Sequence, residues 1–175
     1  MMIKKKPEEL FQFLNQVELF KHISADHIKM LVKPLQLRKY DQGEDIIQEG
    51  QEGTSIFILL EGRVAITKKM TLLTNQSDTS QLDKALIKLK HTDYAFFGEM
   101  AICGEGEVRS ATVTAESECV LGELYAEHIQ KLVTAHPEFG MRFYQNLSVI
   151  MANRLRKANR DILKLTTALT LALQE

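Results

Sequence analysis

Between Leu35 and Leu124 the apolar runs are short and are cut again and again by acid–glycine turns: Asp41-Gln42-Gly43, Glu49-Gly50, Glu52-Gly53 and Glu61-Gly62. Turns at that density mark several short strands at close intervals. The runs themselves, Ile46-Ile47, Ile56–Leu60, Val64–Ile66 and Ala111–Thr114, are β-branched and aliphatic, a composition that fits a pleated, half-buried surface. The pattern predicts short antiparallel strands closing into a roll or barrel rather than a parallel sheet.

Helical patterns flank this region. Over residues 8–37, Leu10, Phe13, Leu14, Val17 and then Ile23, Ile28, Leu31 and Val32 recur at helical spacing. Ser24 reads as the cap of a second short helix, and Pro34 ends the pattern. After Glu127, Pro137 and Gly140 are read as punctuating a short element. Phe143 to Leu173 then contains neither Gly nor Pro and carries an apolar stripe: Leu147, Met151, Leu155, Ala158, Ile162, Leu165 and Leu169. The predicted fold class is α+β, mainly β: an antiparallel β-roll (a double-stranded β-helix jelly roll) between N-terminal helices and a long C-terminal helix. The boundaries fall at 1–34 for the N-terminal helical segment, 35–126 for the roll and 127–175 for the C-terminal helices. Polar residues 69–84 are read as a long surface loop between two strands.

The bulk properties exclude several function classes. The chain has 175 residues, 45% hydrophobic and 26% charged, which fits one domain with its own core. A formal net charge of −1 supplies no global attraction to nucleic acid or anionic membrane. The run Ile56–Leu60 is far too short to span a bilayer, and no apolar signal segment follows Met1–Lys6, so a cytoplasmic protein without membrane contact is expected. Cys103 and Cys119 form no CxxC pair and are expected to be reduced. His22, His27, His91, His128 and His136 show no metal-binding spacing, so no metal is assigned. No nucleophile–base constellation or P-loop is present, and an enzyme is not expected. Arg154, Arg156, Lys157, Arg160 and Lys164 give the long helix a basic side, read as solvated rather than as a surface for direct nucleic-acid binding.

One segment carries chemistry. Phe97-Gly98-Glu99-Met100-Ala101-Ile102 is followed six residues later by Arg109-Ser110-Ala111-Thr112-Val113. Glycine permits a sharp turn or close approach to a ligand, and backbone N–H groups opening a short helical turn suit an anion. A carboxylate accepts from a sugar hydroxyl, an arginine fork matches two phosphate oxygens, and Ala101 keeps the cradle tight. Together they describe a site for a sugar that bears a phosphate.

Residues 97–113 resemble the phosphate-binding cassette of the cyclic-nucleotide-binding domain family, which includes the catabolite activator protein and the regulatory subunits of protein kinase A. A second signature of that family matches Ile46 to Leu59 with its glycines at 50 and 53, closed by Gly62. The resemblance covers about residues 15–160. It implies that Glu99 accepts the ribose 2′-hydroxyl hydrogen bond, that Arg109 pairs with the cyclic phosphate, and that Ser110 bonds a phosphate oxygen. Backbone amides around Gly98, Met100 and Ala101 complete the cradle, with Phe97 and Ala111 bracketing it. Serine after the arginine favours cAMP over cGMP as the bound ligand. Counting along the long helix places the base-contacting pair on Ala158 and Asn159, of which only Asn159 could read a base. No helix-turn-helix is expected after the long helix. Ile162, Leu165, Leu169 and Leu173 could pair two copies as a homodimer, and the signal would pass to an unknown downstream protein through rearrangement of this helix. The alternatives are a sensor fragment of a larger transcription regulator or regulated enzyme, and a ligand-free interaction domain. An internal Glu99–Arg109 salt bridge is the structural alternative for the pair.

Overall fold

A computed structural model describes residues 5–70, 82–102 and 108–173, with side chains omitted at 69, 70, 82–86 and 101. The N-terminal helices are α1 (Pro7–Leu14) and α2 (Ala25–Val32), with a 3-10 turn at Glu18–Phe20 between them. Ser24 caps α2, its hydroxyl accepting from the His27 backbone N–H at 3.4 Å, which satisfies one of the free donors of the first turn. Helix stops at Val32, and β1 (Gln36–Tyr40) starts within the stretch read as helical to residue 37.

The strands continue as β2 (Asp45–Ile47), β3 (Ser55–Glu61), β4 (Arg63–Met70), β5 (Leu82–Lys90), β6 (Phe96–Phe97), β7 (Thr112–Ala115) and β8 (Cys119–Tyr125). They form two four-stranded sheets, β1-β8-β3-β6 and β2-β7-β4-β5, antiparallel throughout. This is the expected β-roll. β4 and β5 extend into both ends of the expected surface loop at 69–84, and residues 71–81 lie outside the described residues.

β3 explains why the roll is so well fixed. Ser55 to Leu60 are all buried, and the two-residue period of a strand divides them between two cores. Ile56, Ile58 and Leu60 join a cluster with Leu14, Phe20, Phe143 and Leu147. Phe57 and Leu59 face the roll interior with Ile47, Val64, Phe97, Val113 and Leu121. The short apolar run marks a strand covered on both faces by helices and by the opposite sheet.

The C-terminal part begins with α3 (Ala126–Ala135), followed by α4 (Pro137–Ala172), a single helix of 36 residues. Here the structure corrects the reading of Pro137 and Gly140 as the punctuation of a separate short element. Pro137 sits in the first turn of α4, where its missing N–H costs nothing. Gly140 lies inside the helix, where a Cβ would meet Val133 of α3 at 2.7 Å. The first half of α4 buries Phe139, Phe143, Leu147 and Ile150 against the roll. Its second half projects from it, with Ile162, Leu165 and Leu169 exposed.

Candidate functional site

β6 ends at Phe97, and Gly98 turns the chain into a 3-10 turn, Glu99–Ile102. Gly98 has φ +80°, and a Cβ there would meet Arg109 Nη1 at 2.8 Å and the Ser55 carbonyl at 2.9 Å. Conformation and space therefore both demand glycine. The turn sends its two ends to different places: the Glu99 carboxylate is buried at the cleft, and Ile102 packs against the helical core.

Arg109 is held by the other family signature. Its backbone N–H donates to Gln51 O at 2.7 Å, and its carbonyl accepts from Gly50 N at 2.9 Å. The guanidinium donates to Gly98 O at 3.3 Å, to Ser55 O at 3.0 Å and to Ser55 Oγ at 3.2 Å. It lies 5.9 Å from the Phe57 ring centroid and directly over Gly53, where any Cβ would overlap it. The glycine-rich run at 46–62 and the segment at 97–113 are thus two halves of one scaffold around this side chain. Burial pushes the Arg109 guanidinium below the usual arginine range, against the opposing pull of Glu123 and Glu99. A cation that has lost part of its hydration and keeps one edge on a cleft is well disposed toward an anion.

That cleft has a volume of about 600 Å³, within the range of small-molecule sites. One wall is the 97–111 segment with Arg109, Ser110 and Ala111. The second is strand surface from Ile47, Ile66, Lys68 and Val113, and the third is α4 with Met151, Arg154, Leu155 and Ala158. Its polar side chains are one carboxylate, two guanidiniums, an ammonium and the Ser110 hydroxyl, which lies 3.6 Å from Met100 Sδ. Such a set can grip an anion and a hydroxyl at one end and a flat apolar body at the other.

Of the residues expected at the site, Phe97, Gly98, Glu99, Met100, Arg109, Ser110 and Ala111 all line this cleft. Ala101 lies in the same 3-10 turn. Asn159 departs from expectation: it is exposed and lies outside the lining, whereas its neighbour Ala158 lines the cleft. One step along a helix turns a side chain by about 100°, enough to separate the two. Arg154 corrects a second expectation. It does not belong to a merely solvated basic side, since its Nη1 lies 2.5 Å from Glu99 Oε1 and its Nη2 donates to Phe96 O at 3.4 Å. Its guanidinium also sits 5.1 Å from the Phe96 ring centroid. Sequence reasoning passed over Arg154, Ser55, Gly53 and Lys68. The signal for Arg154 was a charge placed inside the apolar stripe between Met151 and Leu155.

The family model for the cyclic nucleotide-binding domain matches residues 37–136. The chain belongs to that family. Mouse cGMP-dependent protein kinase 2 is 36% identical over 115 residues, which are 66% of this chain and 14% of the kinase. The cAMP-activated global transcriptional regulator CRP of Pasteurella multocida is 28% identical over 126 residues, 72% of this chain and 54% of that protein. Among solved structures, the catabolite activator protein of Thermus thermophilus superposes with a TM-score of 0.68 at 25% identity, covering 85% of this chain and 63% of its own. The chain therefore spans only a small part of the kinases it matches and about half of the regulator. This cyclic nucleotide-binding domain is regulatory in its relatives, and among the described residues no helix is long and apolar enough to cross a membrane.

Proposed function

We propose that the domain is a cytoplasmic sensor of cyclic nucleotide, with cAMP favoured over cGMP, that signals by rearranging α4 rather than by turning over a substrate. Arg109 and Ser110 take the cyclic phosphate, with the backbone amides at Gly98, Met100 and Ala101 beside them. Glu99 takes the ribose 2′-hydroxyl. The base lies toward α4, against Leu155 and Ala158.

The observation that carries this reading is the Arg154–Glu99 ion pair. It joins α4 to the carboxylate that the ribose needs, so ligand and helix meet at one atom group. A ligand shifts a conformational equilibrium only by binding its two states differently, and sharing Glu99 makes α4 sensitive to what occupies the cleft.

The relatives include a kinase named for cGMP and a regulator activated by cAMP, so the base preference is argued from this chain. Ser110 follows the arginine in place of threonine, and beside Arg154, which is engaged with Glu99, the α4 wall offers the apolar Leu155 and Ala158. An apolar wall discriminates weakly between similar ligands, so the preference for cAMP is modest. Leu165 and Leu169, 66% and 61% exposed in the single chain, are the contact between two copies in a homodimer. The output passes from this helix to a downstream protein.

Calorimetric titration with cAMP and with cGMP, repeated on Arg109→Ala, tests the reading. Saturable binding that this substitution removes supports it. A folded protein that binds neither nucleotide would turn the reading to a ligand-free interaction domain. Hydrogen exchange over 152–172 must differ with and without nucleotide, and sedimentation of Leu165→Asp should report a monomer where the parent chain dimerises.

A further inference from the structure

Away from the cleft, three ligand-bearing side chains converge where α2 meets the elbow between α3 and α4. His27 comes from α2, His136 is the single residue between α3 and α4, and Glu138 lies in the first turn of α4. One ligand atom from each lies within 4.8 Å of the other two. His27 Nε2 is 3.4 Å from Glu138 Oε1, and His136 Nδ1 is 3.7 Å from the same oxygen. We propose that these three residues bind a divalent transition metal of borderline softness, with zinc(II) as the best fit.

The geometry is close to what such an ion requires. Tetrahedral zinc with ligands at roughly 2.0–2.2 Å keeps neighbouring donors roughly 3.3–3.5 Å apart. Two of the separations are at or near that value, and side-chain rotation brings in the third. Two imidazoles and one carboxylate select zinc, cobalt or nickel over calcium or magnesium, which prefer all-oxygen sets. The separations are long for direct hydrogen bonds, and both imidazoles turn to the same carboxylate oxygen.

His27 is oriented for this role. Its Nδ1 lies 2.9 Å from Ser24 Oγ, the same oxygen that accepts from the His27 backbone N–H. In the tautomer whose Nδ1–H donates to Ser24 Oγ, the Nε2 lone pair faces Glu138, the kind of outer contact that fixes a metal-binding tautomer. The ring is also wedged against Phe139 at 5.7 Å and His136 at 4.8 Å between centroids. Glu138 is 65% exposed, which leaves the outer side open for a water as the fourth ligand. An ion held there clamps the N-terminal helices to the elbow from which α4 departs. The inference is independent of the nucleotide reading.

The test is calorimetry of the chelator-treated full chain with zinc chloride and with cobalt chloride, together with the visible spectrum of the cobalt form. The expected result is one saturable site, cobalt absorption of tetrahedral intensity, and a thermal midpoint that rises with zinc. His136→Ala and Glu138→Gln should each weaken binding by about tenfold or more, and Ser24→Ala by about tenfold through the lost orientation of His27. His27 itself is packed, so the two more exposed ligands carry the test, with circular dichroism confirming that the variants fold. No saturable binding by the parent chain, or binding by both variants as tight as the parent's, overturns the proposal.

Discussion

The two charged walls of the cleft are built differently. The wall at 97–100 and 108–111 is locked: Arg109 alone has two backbone and three side-chain hydrogen bonds to the strands and turns around it. The α4 wall is apolar apart from Arg154, which anchors it to Glu99, Phe96 O and the Phe96 ring. Locked donors give recognition with little reorganisation on binding. A wall with a single polar anchor gives way when that anchor is taken. On the proposed function, the contrast separates a surface that recognises from one that reports.

Substitutions can break this contrast. The largest effect is expected for Arg109→Ala. Two charge-assisted hydrogen bonds at roughly 1.5 kcal/mol each amount to about 3 kcal/mol, or a loss of affinity of at least about a hundredfold for either nucleotide. A loss under threefold by calorimetry would falsify the assignment of the locked wall. Gly98→Ala comes next. Forcing a Cβ into left-handed backbone costs about 1–2 kcal/mol before any clash with Arg109, so the thermal midpoint should fall by about 4 °C or more. An unchanged midpoint in a thermal melt would mean that the turn can relax, and the wall would not be locked there.

Arg154→Ala should act on the other wall. Affinity should change by less than about tenfold, because the Arg154 side chain is 45% exposed and water can take its place beside the buried Glu99. Protection of residues 152–172 from hydrogen exchange should fall in the nucleotide-free protein. If this variant lost as much affinity as Arg109→Ala, the division of labour between the walls would collapse. The smallest effect is the base preference. On the proposed placement of the base against Leu155 and Ala158, cAMP should bind more tightly than cGMP by a factor under about ten. Competition between the two nucleotides measures it, and a hundredfold preference would mean that a polar group on α4, Arg154 first, reads the base.

How much of this was legible in the sequence follows the range of each interaction. The roll was legible because its turns are local: acid–glycine pairs cut the chain at Gly43, Gly50, Gly53 and Gly62 whatever surrounds them. The segment 97–111 was legible because most of the cleft's charged wall is contiguous. What was lost came from groups that meet only in space. Ser55 holds Arg109 from 54 residues away, and Arg154 reaches Glu99 across 55. Counting along a helix fixes the pair Ala158 and Asn159 but not which of the two faces inward, and it is Ala158 that lines the cleft. Pro137 was read as a break because the same residue ends one helix and opens the next. His27, His136 and Glu138 share no spacing rule, since two different helices and their elbow bring them together.

The double burial of β3 limits how the domain can move. Its odd and even side chains are keyed into separate compartments, and a slip of one residue would exchange the two sets wholesale. Sliding is therefore closed as a route for transmitting a signal. The roll and the helices can change their relation only by pivoting as whole bodies about thinly packed joints. Two such joints are the short turn at Glu99–Ile102 and the single-residue elbow at His136. A strand that cannot creep leaves the second half of α4, exposed beyond Ala152, as the part of that 36-residue helix least held by packing.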